Sequence, residues 1–169
     1  GACRKAQASL RGPRGRWSSG SVYGAGAPWT KNGDRYGGGG GGGARVTELL
    51  RMPHGSVVSA ATTHVWTSCT LEVGVNPTLT TATLRFDNGG TLRTIANTTF
   101  TNDATLTGTG VVIDSDGFTS TLSGTYSGSG RLTKIHSGVI NLTHHNTYLG
   151  ATMINGGALR AGTLSALGP

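Results

Sequence analysis

The chain has 169 residues, a formal net charge of +7, 30 glycines and 12% charged residues. Its basic residues are not spread evenly: residues 1–51 hold nine Lys and Arg against Asp34 and Glu48, net +7, whereas residues 52–169 hold five basic and five acidic residues, net zero. That division excludes reading the whole protein as a nucleic-acid binder from its charge, and no run of about eighteen apolar residues suggests a membrane-spanning helix.

Residues 1–55 read as a low-complexity basic Gly/Arg-rich leader. The glycine run Gly37–Gly43 maximises backbone entropy, and its Arg, Ser, Gly and Pro surroundings offer little apolar surface to offset it. The composition predicts disorder there, with a short helical turn at Val46–Met52. The tract from Arg11 to Arg16, with Trp17, Tyr23 and Trp29, has the chemistry of an RNA-binding arginine-glycine segment, since guanidinium pairs with phosphate and aromatic rings stack on bases. The blander alternative, an unselected leader, is the favoured one, and nucleic acid is not an expected partner. Residues 1–30 contain no apolar core of a secretion signal.

From Ser56 to Pro169 the chain is Thr-rich, β-branched and punctuated by glycine, which favours short strands. Apolar and polar residues alternate in Leu79–Phe86, Ala104–Thr107 and Val139–Thr143, as along a strand with one buried face. Two apolar columns recur in step. Leu71, Leu92, Val112, Leu132 and Ile154 are spaced by 21, 20, 20 and 22 residues, and Leu79, Phe100, Leu122, Leu142 and Leu164 by 21, 22, 20 and 22. A period near twenty is what a coiling chain needs to bury its inward side chains against the coils above and below. Turn markers repeat too: Asn88-Gly89-Gly90 returns as Asn155-Gly156-Gly157, and Tyr126 and Gly128 return as Tyr148 and Gly150. A stack of about five coils follows, roughly 24 Å long at about 4.8 Å per coil.

The run Gly128–Lys134, continued by Gly138–Leu142, Asn146–Thr152 and Asn155–Arg160, strongly resembles one complete autotransporter-associated β-strand repeat. The resemblance covers roughly Leu71–Pro169 and is most specific from Leu122 to Arg160. It implies an all-β, right-handed parallel β-helix, a β-solenoid fragment of a bacterial autotransporter passenger domain, with Leu132, Lys134, Gly138, Leu142, Asn146, Tyr148, Gly150, Gly156, Gly157 and Leu159 as repeat-defining structural residues. It implies a non-catalytic structural or adhesive role at the bacterial cell surface, outer membrane or in secreted form. The implied partners are a C-terminal outer-membrane β-barrel and further β-helix coils. Arg131 and His136 depart from the pattern, standing where it usually has glycine. The pattern is interrupted at Ser165–Pro169, so a fragment without signal peptide or translocator barrel is expected.

Chemical motifs are sparse. Asp114 and Asp116 have the spacing to share a strand face, the arrangement a β-helical carbohydrate-active enzyme uses for an acid and a base; a solvated turn is the more ordinary reading of Asp-Ser-Asp-Gly. His144 and His145 are adjacent and so point to opposite faces of a strand, which leaves His136 as a histidine without a predicted metal partner. No cofactor, metal or phosphate-loop motif is present in the sequence, and no enzyme activity is expected. Cys3 and Cys69 leave both a disulfide and two thiols open.

Overall fold

A computed structural model describes the strands Val22–Tyr23, Arg35–Gly37, Ala44–Val46 and Leu49–Met52 and all residues from 57 to 169. These four short strands are β1 to β4. The next coil carries β5 (Val57–Val65) and β6 (Thr70–Val73), and the one after it β7 (Thr78–Asp87), β8 (Gly90–Thr94) and β9 (Thr99–Phe100). Three coils of the same plan follow: β10 (Ala104–Thr107), β11 (Val111–Asp114), β12 (Thr119–Leu122); β13 (Tyr126–Gly128), β14 (Leu132–Ile135), β15 (Val139–Leu142); and β16 (Thr147–Tyr148), β17 (Thr152–Ile154), β18 (Ala158–Ala161).

Each strand pairs with its counterpart one coil away, so the chain builds three sheets at once. Sheet A runs β1-β3-β5-β7-β10-β13-β16, with β2 also on β5; sheet B runs β4-β6-β8-β11-β14-β17; sheet C runs β9-β12-β15-β18. Among the described pairs all are parallel except β1 with β3. The molecule is therefore a parallel β-solenoid, with five successive coils from β5 to β16 on sheet A. Parallel strands need a long crossover, and here each crossover is simply the other two sides of the coil.

The core fills the space between the sheets. On sheet C, Phe100, Leu122 and Leu142 are register partners and are buried. On sheet A, Val65, Phe86 and Leu106 stack in the same way. On sheet B the inward column is Leu71, Leu92, Ile113, Lys134 and Ile154. Between the end coils each inward side chain is covered by one directly above and one directly below, which is how a narrow solenoid excludes water, whereas Ile154 on the last strand of sheet B is half exposed.

The structure corrects several details of the sequence reading. Val112 pairs with Thr91 and Thr133 on the half-buried outer side, and Ile113 takes the predicted core place. Leu132 is buried but belongs to the neighbouring column of Gly90, Val111 and Thr152. Leu79 is buried on sheet A, not sheet C. Above Leu142 lies Ala161, whereas Leu164 is fully exposed in a turn. The repeated Asn-Gly-Gly markers are not equivalent: Asn88–Gly90 makes the corner from sheet A to sheet B, and Asn155–Gly157 the corner from B to C. Tyr148 pairs with Gly128, so the two tyrosines occupy different inward positions. Where a helical turn was predicted at 46–52, β4 pairs with β6 in register from Leu49↔Thr70 to Met52↔Val73. Apart from β1 to β4, the predicted leader 1–55 lies outside the described residues.

Candidate functional site: the ionic corner between sheets B and C

Alternation along β8, β11 and β14 sends every second residue outward. Glu72, Arg93, Asp114 and Ile135 are consecutive register partners on that outer side. Just past β11 and β14 the chain turns toward sheet C through Asp116 and His136, both left-handed at φ 45° and 55°. The turn thereby gathers charged groups from three coils at one corner.

The Arg93 guanidinium holds both carboxylates. Its Nη2 donates to Asp116 Oδ2 at 2.6 Å, and its Nε lies 3.7 Å from Asp114 Oδ2. The hydrogen bond to Asp116 and the charges of Asp116, Asp114 and Glu72 outweigh partial burial and hold the Arg93 pKa above its ordinary value. Asp114 Oδ1 accepts the Asp116 amide at 3.0 Å and lies 3.1 Å from His136 Nδ1. Asp114 is largely buried, while His136 and Asp116 are exposed.

Inside the same corner sits Lys134. Its side chain is fully buried, and its Nζ donates to the carbonyl oxygens of Ile135 at 2.5 Å, His136 at 2.8 Å, Gly156 at 3.3 Å and Ser137 at 3.4 Å. Burial pushes the amine below the ordinary lysine value, and the Asp114 charge opposes that shift. The turn comes this close because Gly138 and Gly157 take φ of 89° and 68°, and a side chain on Gly138 would strike the Phe118 carbonyl.

Of the other repeat-defining residues, Leu132, Leu142, Asn146 and Tyr148 are buried. Asn146 Oδ1 accepts the Tyr126 amide at 2.7 Å and its Nδ2 donates to the Ala166 carbonyl at 2.6 Å, so this one side chain joins three coils. Gly150 lies at the A-to-B corner with its amide on the Gly130 carbonyl, Gly156 and Gly157 at the B-to-C corner, and half-buried Leu159 pairs with Ile140. His136 meets the glycine requirement of its turn by adopting a left-handed backbone; Arg131 is not among the positive-φ residues, and its Nε donates to the Thr109 carbonyl one coil below.

His144 and His145 are exposed in the bend after β15, and among the described residues no three His, Cys, Asp or Glu side chains gather as a metal-binding group. Cys69 is buried and disulfide-bonded; Cys3 lies outside the described residues, as does the arginine-glycine tract.

A second cluster escaped the sequence reading. On the outer side of sheet A, Arg85 Nε donates to Asp87 Oδ1 at 2.7 Å, Thr107 Oγ1 donates to the same oxygen, and His64 Nδ1 lies 3.9 Å from Asp87 Oδ2. The available signal was spacing, since His64 and Arg85 are register partners, as are Asp87 and Thr107.

The chemistry of both clusters runs from coil to coil. At the B-to-C corner the two carboxylates Asp114 and Asp116, which the sequence reads first as a solvated turn, share one arginine, and Asp114 also contacts His136. No family model, curated protein or solved structure matches the chain.

Proposed function

We propose that this chain is a non-catalytic structural and adhesive segment of a bacterial autotransporter passenger, a rod that extends and displays binding surfaces outside the outer membrane. The observation that carries this reading is the use made of its polar side chains. Asn146, Lys134 and Arg93 each bond between coils, as expected of a stack that must stay rigid without a globular core. The repeat signature from Leu122 to Arg160 supports the family. On this reading the partners are further coils and a C-terminal outer-membrane barrel, no cofactor is needed, and the location is the cell surface or the medium.

The test places the full chain between a secretion signal and an outer-membrane translocator barrel in a Gram-negative host. The expected result is surface exposure on intact cells, with a protease-resistant fragment spanning residues 122–160. Retention in the periplasm, or display without a protected fragment, overturns the proposal.

A second reading, a truncated β-helical carbohydrate-active enzyme, draws on Asp114, Asp116 and His136 lying at one corner. It requires reducing-end release from a polysaccharide panel that is lost in an Asp114→Asn, Asp116→Asn double variant. A third, RNA binding by the basic leader, requires affinity that survives deletion of residues 56–169 and falls steeply with added salt.

A further inference from the structure

The amine of Lys134 occupies an unusual position for a charge. It stands in the inward column of sheet B, with Ile113 one coil below and Ile154 one coil above. A charge in such a place is costly unless its hydrogen-bonding capacity is met. Among the described residues it is met by main-chain carbonyls, its three N–H groups shared among four: Ile135, His136 and Ser137 of its own turn and Gly156 of the next coil.

We infer that this corner is a binding site for a small monovalent cation, which the chain fills with its own Lys134 ammonium. Three features define the ligand class. Neutral carbonyl oxygens replacing a hydration shell suit a monovalent ion, whereas divalent calcium is ordinarily held by several carboxylates. The nearby negative charge is Asp114, whose carboxylate is already shared with His136 and Arg93. The Lys134 alkyl chain is buried in the column position between Ile113 and Ile154, so the best occupant is a primary ammonium with a short alkyl tail.

The cage is held by backbone as well as by the lysine. Asn155 donates its amide to the Lys134 carbonyl and Ala158 its amide to the Gly138 carbonyl. Gly138 and Gly157 fix the two stacked turns in left-handed conformations. Removing the side chain therefore leaves the carbonyl oxygens near their places and opens a matching cavity. Lys134→Ala deletes Cγ, Cδ, Cε and Nζ, the outline of n-propylammonium.

The experiment is thermal unfolding of the full chain and of Lys134→Ala in sodium buffer, with n-propylammonium, n-propanol or tetramethylammonium added at equal concentration. The expected result is a lower Tm for the variant, raised by about 2–4 °C by n-propylammonium, with no comparable rise in the wild type. Equal recovery with n-propanol would mean only that a cavity had been filled, and equal recovery with tetramethylammonium only an ionic-strength effect; either result, or no recovery, overturns the inference. A measurement on the unaltered chain stands if the variant fails to fold. Nitrogen-15 NMR at neutral pH should show the Lys134 side chain as a charged, slowly exchanging ammonium, and a neutral or rapidly exchanging amine there overturns the site.

Discussion

Asn146 sits one coil above Tyr126 and receives its backbone amide at 2.7 Å, in a contact closed to solvent. The Asn146 side-chain Nδ2 donates upward to the Ala166 carbonyl, so Asn146 replaces main-chain pairing at a place where β13 and β16 are not in register contact. Asn146→Ala leaves the Tyr126 N–H and the Ala166 carbonyl without these partners, at a cost of about 2–4 kcal/mol. Asn146→Asp keeps the acceptor and loses the donor. Urea melts should rank wild type above both variants; a harmless Asn146→Ala would show that the bridge contributes nothing.

Leu142 has Leu122 below it and Ala161 above. It is fully buried, so Leu142→Ala should cost about 2–4 kcal/mol through lost burial and the cavity left behind. Thr143, the next residue, is exposed, and Thr143→Ala should stay within about 0.5 kcal/mol. Leu164→Ala should be equally mild, because Leu164 is exposed. Denaturant melts decide the matter: equal losses at 142 and 143 would contradict the register.

Much of this architecture was legible in the sequence, and the failures have a common physical source. The column Phe100, Leu122 and Leu142 was found correctly because each position of sheet C there is filled by a large apolar side chain. Sheet B defeated the same approach at Lys134, where a core position holds a cation that a search for apolar residues passes over. Leu132, two residues earlier and on the same face, took its place in the predicted column. The slip at Val112 arose because β11 is apolar on both sides, leaving no alternation to choose between Val112 and Ile113. The ionic corner was half visible. Asp114, Asp116 and His136 were each noticed, but their union through Arg93 depends on stacking register, which a period varying from 20 to 22 residues does not fix.

Tyr126 is buried inside the solenoid, and its hydroxyl has no hydrogen-bond partner among the described residues. Tyr126→Phe removes that unsatisfied group while keeping the ring, so the variant should be as stable as wild type or more stable by about 1 kcal/mol. Burial, with the Asp103 charge, raises the Tyr126 pKa beyond the ordinary phenol range; burial also raises that of Tyr148, against its hydrogen bond with Thr152. An acid whose folded pKa is raised contributes stability in full below its unfolded value of about 10, which is then lost as pH rises toward the folded value. Phenolate absorbance should therefore show Tyr126 ionising only as the fold is lost. Its normal titration in a still-folded chain would place the ring in water.

Lys134 produces the opposite slope. Burial lowers its folded pKa below the ordinary 10.5, so between those two values the unfolded chain holds the extra proton and stability rises with pH. The titratable groups beside it are Asp114, whose carboxylate opposes the shift, and His136, whose carbonyl is part of the cage and whose imidazole faces Asp114. Lys134→Met fills the shaft but cannot titrate, so subtracting its stability from that of the wild type isolates the amine. In urea melts taken from neutral pH to just below about pH 10, before the tyrosines intervene, this difference should move steadily in favour of the wild type. A difference that stays flat would mean that the amine titrates at its unfolded value. One that moves in favour of Lys134→Met would mean that the carbonyl cage and Asp114 outweigh burial and raise the folded pKa instead.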